Sequence, residues 1–428
     1  MYREVWAIPA VRHSIILGTL GKMPWFGAAI ILTLHVVQTL GRPYSAAGLL
    51  TAVFTLAVAV ASPWRGRLLD TVGLRRTLLP SLVVLPIAFV AAPFMGFWTL
   101  LASMGLVGLL AVPWFVLTRQ MVIAAVPVRQ RRTAVALDSV ATEIGFMVGP
   151  TLGVLAAVYG DTRWALPLFG LTSIAAAGLL AWVNPPLVDP KSTPQPESER
   201  GWGWLNANVA ALFLATIAVT FTLSGTDLGM VAATRTMGAE SFLAVAIVAW
   251  GFGSLLGALF YGSLRMSRIP VMTLTLGLAI TTIPVALARD PWSLAVLLFV
   301  TGLFCAPSLS AIIEALSHAV PESRRGEAMG WQGAFSTVGN ASAPPIIGFI
   351  LDEFGWQQGF IWTGVGGVVA AVAGWALITA GRRLRRSRRL PDAPGVRSAQ
   401  EEPPQPEGDD GDPDHRHHHE VAEVHQGQ

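Results

Sequence analysis

The strongest constraint on this chain's fold is a succession of long apolar runs, divided by short loops that carry most of the charge. About 20 predominantly apolar residues are what a helix needs to cross the ~30 Å hydrocarbon core of a bilayer. Hydrophobic residues make up 53% of the 428 and charged residues only 13%, with a mean hydropathy of +0.56. A soluble chain would carry about 25% charged residues to cover its surface. Much of this exterior therefore faces lipid. The first run, Ser14–Thr39, is too long for the apolar core of a cleavable leader and is expected to remain as a span. Cys305, the single cysteine, lies inside an apolar run, so no intrachain disulfide framework can form.

Twelve spans follow. The first six are Ser14–Thr39, Ala46–Pro63, Thr77–Phe97, Trp98–Ala125, Thr133–Val158 and Trp164–Val183. The second six are Asn206–Met230, Ser241–Leu264, Pro270–Ala288, Pro291–Leu316, Glu327–Leu351 and Gln358–Gly381. The expected architecture is an all-α membrane protein of two six-helix halves, residues 1–183 and 205–381. A Pro-rich linker, 184–204, joins them. The tail, 382–428, is rich in Pro, Asp, Glu and Gly and reads as disordered.

Arginine sets the orientation. Arg65, Arg67, Arg75, Arg76, Arg129, Arg131 and Arg132 fall at one side of the first six spans. Arg265, Arg268, Arg324, Arg325 and the run from Arg382 to Arg389 fall on the same side of the second six. The opposite side has only Arg42, Arg163, Arg235 and Arg289. The positive-inside rule then puts both termini in the cytoplasm of a plasma (inner) membrane protein. Although the pI is near 9.4, basic residues confined to short loops do not point to nucleic acid.

The halves also align with one another at an offset of 194 residues (302 minus 108). That register pairs Gly108 with Gly302, Pro113 with Pro307, Pro127 with Pro321, Arg131 with Arg325, Ala134 with Ala328, Gly145 with Gly339 and Pro150 with Pro344. Repeated membrane halves are a mark of secondary transporters, whose solute site lies near the midplane where the halves meet.

Two segments carry a resemblance to a known family. Gly66-Arg-Leu-Leu-Asp70-Thr-Val-Gly73-Leu-Arg75-Arg76 follows the second span. Gly66 permits close helix approach, Gly73 suits a tight turn, and Asp70 suits the positive end of a neighbouring helix. The arginines can meet acidic groups or lipid phosphates. A solvated basic turn is the plainer reading. The second segment, Gly145-Phe-Met-Val-Gly149-Pro150-Thr-Leu-Gly153, puts small residues at the spacing that lets membrane helices touch backbone to backbone. Its proline bends the helix. Ordinary packing explains such a stretch equally well.

These segments resemble the loop signature G-x-x-x-D-[RK]-x-G-[RK]-[RK] and the antiporter signature G-x-x-x-G-P-x-x-G-G of the major facilitator superfamily. The resemblance implies a latch for Gly66, Asp70, Gly73, Arg75 and Arg76 against the start of the eleventh span. It also implies contact of Gly145, Gly149, Pro150 and Gly153 with the eighth span, where Gly251, Gly253 and Gly257 form a small face. Departures are visible. Thr71 and Leu74 replace basic residues, Val154 replaces the last glycine, and the family's R-x-x-Q-G pattern has no arginine at Met104. The second-half counterpart of the loop signature, around Tyr261–Arg265, lacks the aspartate.

An ionisable residue inside a span costs about 2.5–3.5 kcal/mol on insertion scales and is a functional candidate by default. Here these are Lys22, His35, Arg119, Asp138, Glu143, Asp227 and Glu314. A rise of about 1.5 Å per residue puts Lys22 level with Glu143, and Arg119 level with Asp138, which makes two expected pairs. Glu314 is one position from the repeat-equivalent of Arg119, so an Arg119–Glu314 pair across the halves, released by protonation, is a further expectation. Its alternative is a Glu314 bonded within its own half. Asp227, in Ser224-Gly-Thr-Asp227-Leu-Gly229, marks either an unwound segment near solute or a helix end. Spans one, four, seven and ten line the family's cavity, so the resemblance makes Trp25, Phe26, Trp114 and Phe221 candidates for an apolar or aromatic solute.

The combined expectation is a monomeric, proton-coupled exporter of small, partly apolar molecules working by alternating access. An importer or facilitator of a polar nutrient is the alternative within transport. A membrane sensor is the alternative outside it. The spans hold no catalytic constellation, so neither an enzyme, a cofactor nor a bound metal is expected. The histidines from His415 to His419 read as incidental.

Overall fold

The structure is a computed structural model and describes residues 2–185, 204–263, 270–321 and 324–387. Residues 186–203 of the linker, most of the tail, residues 388–428, and its histidines lie outside these, as do the side chains of Asp70, Arg132 and Arg325. In the first half the helices are α1 Pro9–Thr39, α2 Tyr44–Val72, α3 Leu74–Phe94, α4 Phe97–Ala124, α5 Thr133–Tyr159 and α6 Thr162–Val183. The second half begins with α7 Ala207–Thr236, α8 Glu240–Gly262, α9 Val271–Leu287 and α10 Pro291–Ala319. One long helical stretch, Glu327–Ala380, then turns sharply at Gly355, so its two limbs, 327–354 and 356–380, are α11 and α12. The architecture is all-helical, in two six-helix halves.

Local chemistry sets the ends. Gly73 (φ 81°, ψ 173°) separates α2 from α3, and Gly355 (φ 83°, ψ 172°) separates α11 from α12. That region of backbone space is essentially glycine-only. Asn206 caps α7 by accepting from the amides of Asn208 and Val209. Asp290 caps α10, and the Ser293 amide it accepts from holds its carboxyl below the usual carboxylate range. Two helices are interrupted at repeat-equivalent places: α4 at residues 110–113 and α10 at 303–304.

Three expectations change. The second span does not stop at Pro63 but continues through Arg65 and Arg67 to Val72. Arg65 is tolerated there because its guanidinium turns inward to Ser81 Oγ at 2.8 Å and to the Thr77 carbonyl at 3.4 Å. The stretch around Asp227 is not unwound, since α7 runs as one helix to Thr236; its Thr222, Thr226 and Thr234 hydroxyls bond back to their own helix carbonyls. The two glycine faces do not meet each other either. A side chain at Gly149 would strike the Met23 carbonyl, and one at Gly153 would stand 2.8 Å from the Gly27 carbonyl, so this face packs on α1 within its own half. Gly253 and Gly257 likewise face the backbone of α10 at Phe299 and Leu303. Only Gly251 turns toward α5, where Met147 fills the space. Periodicity shows that such a face needs a close neighbour but not which neighbour.

The halves meet along α5 and α8, where the Phe146 and Trp250 ring centroids lie 5.7 Å apart. They meet again at the end away from the arginine-rich turns. There Asp352 on α11 accepts from the amides of Tyr44 (2.7 Å) and Ser45 (2.8 Å), the first residues of α2. Pro43, at the cap position, supplies no side-chain bond to these amides, so a carboxylate of the other half does so. Gly48 rests on the Pro344 carbonyl, and Arg235 reaches the Val37 carbonyl at 3.4 Å.

Substitution tests the glycine assignment. Gly149→Ala should lower stability by about 1–3 kcal/mol, the range for overpacking a tight contact. Gly66→Ala meets open space and should be neutral or slightly stabilising. Thermal unfolding midpoints of the two purified variants in one detergent check the difference; equal midpoints would refute it.

Candidate functional site

Lys22 lies on the buried face of α1 and is 1% exposed. Its ammonium donates to Asp138 Oδ1 at 2.8 Å and to Thr142 Oγ1 at 2.7 Å, both on α5, and stands 5.6 Å from the centre of the Phe115 ring. The expected pairs of Lys22 with Glu143 and of Arg119 with Asp138 are therefore replaced by one, Lys22–Asp138. The reason is directional. Helical side chains lean toward their own N-terminus, and α1 and α5 run parallel. The long lysine stem thus passes its own level and meets a carboxylate about one turn nearer the arginine-rich end.

Glu143, freed of that pair, is half-buried on α5. Arg119 is exposed and has no ion pair among the described residues. Glu314 instead accepts from the Tyr261 hydroxyl at 3.0 Å, within its own half, so the Arg119–Glu314 pair is not formed in this conformation. His35, wholly buried, pairs through Nδ1 with Thr162 Oγ1 at 2.9 Å and ties α1 to α6.

Between the halves lies a cavity of about 170 Å³. Phe26, Phe146, Trp250 and Ile247 form much of its wall, and among the described residues Asp227 is its one ionisable lining residue. Beside Asp227, Ser224 donates to Asn340 Oδ1 on α11 at 2.8 Å, which joins two helices of the second half with neutral polar groups. A second cavity of about 280 Å³ lies inside the first half, between α1, α2 and α4. Phe26 borders both. Phe115 packs on Phe26 with ring centroids 6.0 Å apart and is itself 54% exposed, and Arg119 follows one turn later on α4. The second cavity reaches the stretch of α2 that holds Arg65, Gly66 and Leu69, near the arginine-rich end.

The aromatic candidates divide. Trp25 borders the second cavity and packs on Phe54 and Phe89 at 5.7 and 6.4 Å. Trp114 is 2% exposed, and its ring fills the place a side chain at Gly21 would take, so much of its face is packing. Phe221 instead packs near Gly366 and borders neither cavity. Of the loop signature, Gly66 has no close neighbour and Arg76 is exposed. Arg75 donates to the Ala181 and Trp182 carbonyls, both at 2.8 Å, at the end of α6. The arginine thus caps a helix terminus. Sequence reasoning missed Phe146, Trp250, Asn340, Tyr261 and Asp352, because nothing local distinguishes them from lipid-facing aromatics or helix ends.

Two repeated bundles that enclose a largely apolar space around a single carboxylate define a membrane transporter rather than an enzyme. The family model of the Major Facilitator Superfamily matches residues 15–225 and again residues 203–408. The chain belongs to that superfamily. It is similar to Multidrug resistance protein MdtG of Proteus mirabilis (strain HI4320), with 27% identity over 333 residues, covering 74% of this chain and 81% of that protein. MdtG of Dickeya zeae (strain Ech586) is 26% identical over 352 residues, covering 77% and 83%. Among solved structures, a bacterial homolog to the human lysosomal transporter Spinster superposes with a TM-score of 0.69 at 16% identity, covering 90% of this chain and 99% of that one. The nucleoside transporter NupG gives 0.69 at 14% identity, covering 86% and 99%.

The ion pair allows a direct check. Asp138→Asn strands a buried ammonium and should cost about 3–5 kcal/mol, whereas Lys22→Met with Asp138→Leu should recover most of that loss. Unfolding midpoints of the single and double variants decide; a double variant less stable than Asp138→Asn would contradict the pairing.

Proposed function

We propose that this chain exports small, partly apolar compounds across a bacterial inner membrane by alternating access, driven by protons. The observation that carries the reading is the cavity between the halves, with aromatic and aliphatic walls around one carboxylate, Asp227. Apolar walls with few fixed polar groups accept varied solutes, and orientation is left to the one charged group. The multidrug-resistance names of the MdtG relatives favour efflux over uptake. Asp227 and Glu143 are the proposed proton carriers, as carboxyls whose access to water changes when the halves rock.

By the positive-inside rule the arginine-rich end is cytoplasmic, with both termini, the 184–204 linker and the 382–428 tail on that side. An opening of the cavity at that end would face the cytoplasm, where an exporter collects its cargo. In the opposite state the signature around Asp70, Arg75 and Arg76 would latch the cytoplasmic end, for which Gly66 stays free of neighbours here. The Gly145–Gly153 face holds α5 to α1, so the first half moves as one body. A monomer suffices for this cycle.

Proteoliposomes with an acidic exterior and a fixed panel of cationic dyes and hydrophobic antibiotics test the proposal. Wild-type protein should drive counter-movement of at least one compound, and Asp227→Asn should slow it about tenfold or more, the scale of one lost charge-assisted contact. An Asp227→Asn variant that transports at the wild-type rate would remove Asp227 from the mechanism. Uptake of nucleosides or sugars instead of dyes would replace export with import.

A further inference from the structure

We propose that the cavity inside the first half, between α1, α2 and α4, is a second binding site for an organic anion with an apolar or aromatic body. It is separate from the Asp227 cavity, and its acidic group would sit where α4 restarts, beside Arg65. The case begins with charge. Lys22 on the wall is neutralised by Asp138. Arg65, also on the wall and 4% exposed, is not: among the described residues no carboxylate pairs with it, and its Nε–H has no acceptor. A guanidinium held out of water without a counter-charge is costly, and a bound anion would relieve that cost.

The backbone points the same way. The interruption of α4 exposes the N-terminus of an 11-residue helical segment, Trp114–Ala124, along the cavity wall. Among the described residues the amides of Val112, Phe115 and Val116 find no backbone acceptor. Such a terminus favours negative charge through its free N–H groups and its dipole. The indole N–H of Trp114, buried on the same wall, also lacks an acceptor. One strap joins these donors: Arg65 donates to Ser81 Oγ at 2.8 Å, and Ser81 donates to the Leu110 carbonyl, at the interruption, at 2.7 Å. The remaining wall, with Trp25, Phe54 and Phe26, suits one or two rings in about 280 Å³. Donors at one end and aromatics at the other select an amphipathic acid, either a solute or a lipid carrying a phosphate.

The probes are 2-naphthoate and its uncharged analogue 2-naphthylmethanol, titrated calorimetrically into full-length protein in phosphatidylcholine nanodiscs. The acid should bind at least about tenfold more tightly than the alcohol, as hydrogen bonds to a charged group imply. Arg65→Gln should erase that preference. Where Arg65→Gln fails to give a monodisperse protein, Trp114→Phe decides, since it keeps the ring, removes the N–H and should reduce the acid's advantage several-fold. Exchanging part of the lipid for phosphatidylglycerol should weaken naphthoate binding if a lipid phosphate is the natural occupant, and leave it unchanged if a solute is. Equal affinity for acid and alcohol in the wild type, or a preference that survives the deciding variant, would overturn the site.

Discussion

The conformation turns on one carboxylate at a helix start. Proline at the cap of α2 leaves the first amides without a side-chain partner of their own, and Asp352 of the other half accepts from two of them. A helix N-terminus and a carboxylate attract through both hydrogen bonds and dipole. This contact joins the two halves at the end away from the arginine-rich turns. Breaking it would leave two α2 amides without their partner, so parting the halves at this end carries a cost.

Away from this contact the packing differs within and between the halves. Within the halves, glycines of α5 press on the backbone of α1, and those of α8 press on α10, contacts that tolerate little sliding. The Lys22–Asp138 pair locks α1 to α5 by charge as well as by shape. Between the halves the contacts include Phe146, Trp250 and Met147, whose side chains can change rotamer without losing an ion pair. Backbone-to-backbone and charged contacts thus fill the interior of the halves, while aromatic and thioether contacts line the seam along α5 and α8.

The sequence displayed most of the fold and less of the site. Apolar runs showed the spans, arginines showed a consistent sidedness, and the 194-residue offset pairs the stretches where α4 and α10 are each interrupted, although no interruption was legible in either. The Gly73 turn was legible because only glycine fits its backbone angles. Pairings were harder. Depth counted along helix axes matched Lys22 with Glu143, but side-chain lean decided for Asp138. Glycine spacing announced close contact without naming α1 as the partner. Arg65 read as a loop residue because Pro63 looked like a helix end, and its inward turn depends on Ser81, 16 residues away. Asp352 and Tyr44 are 308 residues apart, and no local pattern connects them.

A reversible staple at the Asp352 contact tests the rocking of the halves most directly. In a Cys305→Ala background, Ser45→Cys with Asp352→Cys puts one thiol on the residue whose amide is bonded and the other in place of the carboxylate, and transport is followed in proteoliposomes before oxidation, after it, and after reduction. The account predicts transport by the reduced protein, loss when the pair is cross-linked, and recovery on adding a reductant. Fully cross-linked protein that transports as fast as the reduced form would contradict it.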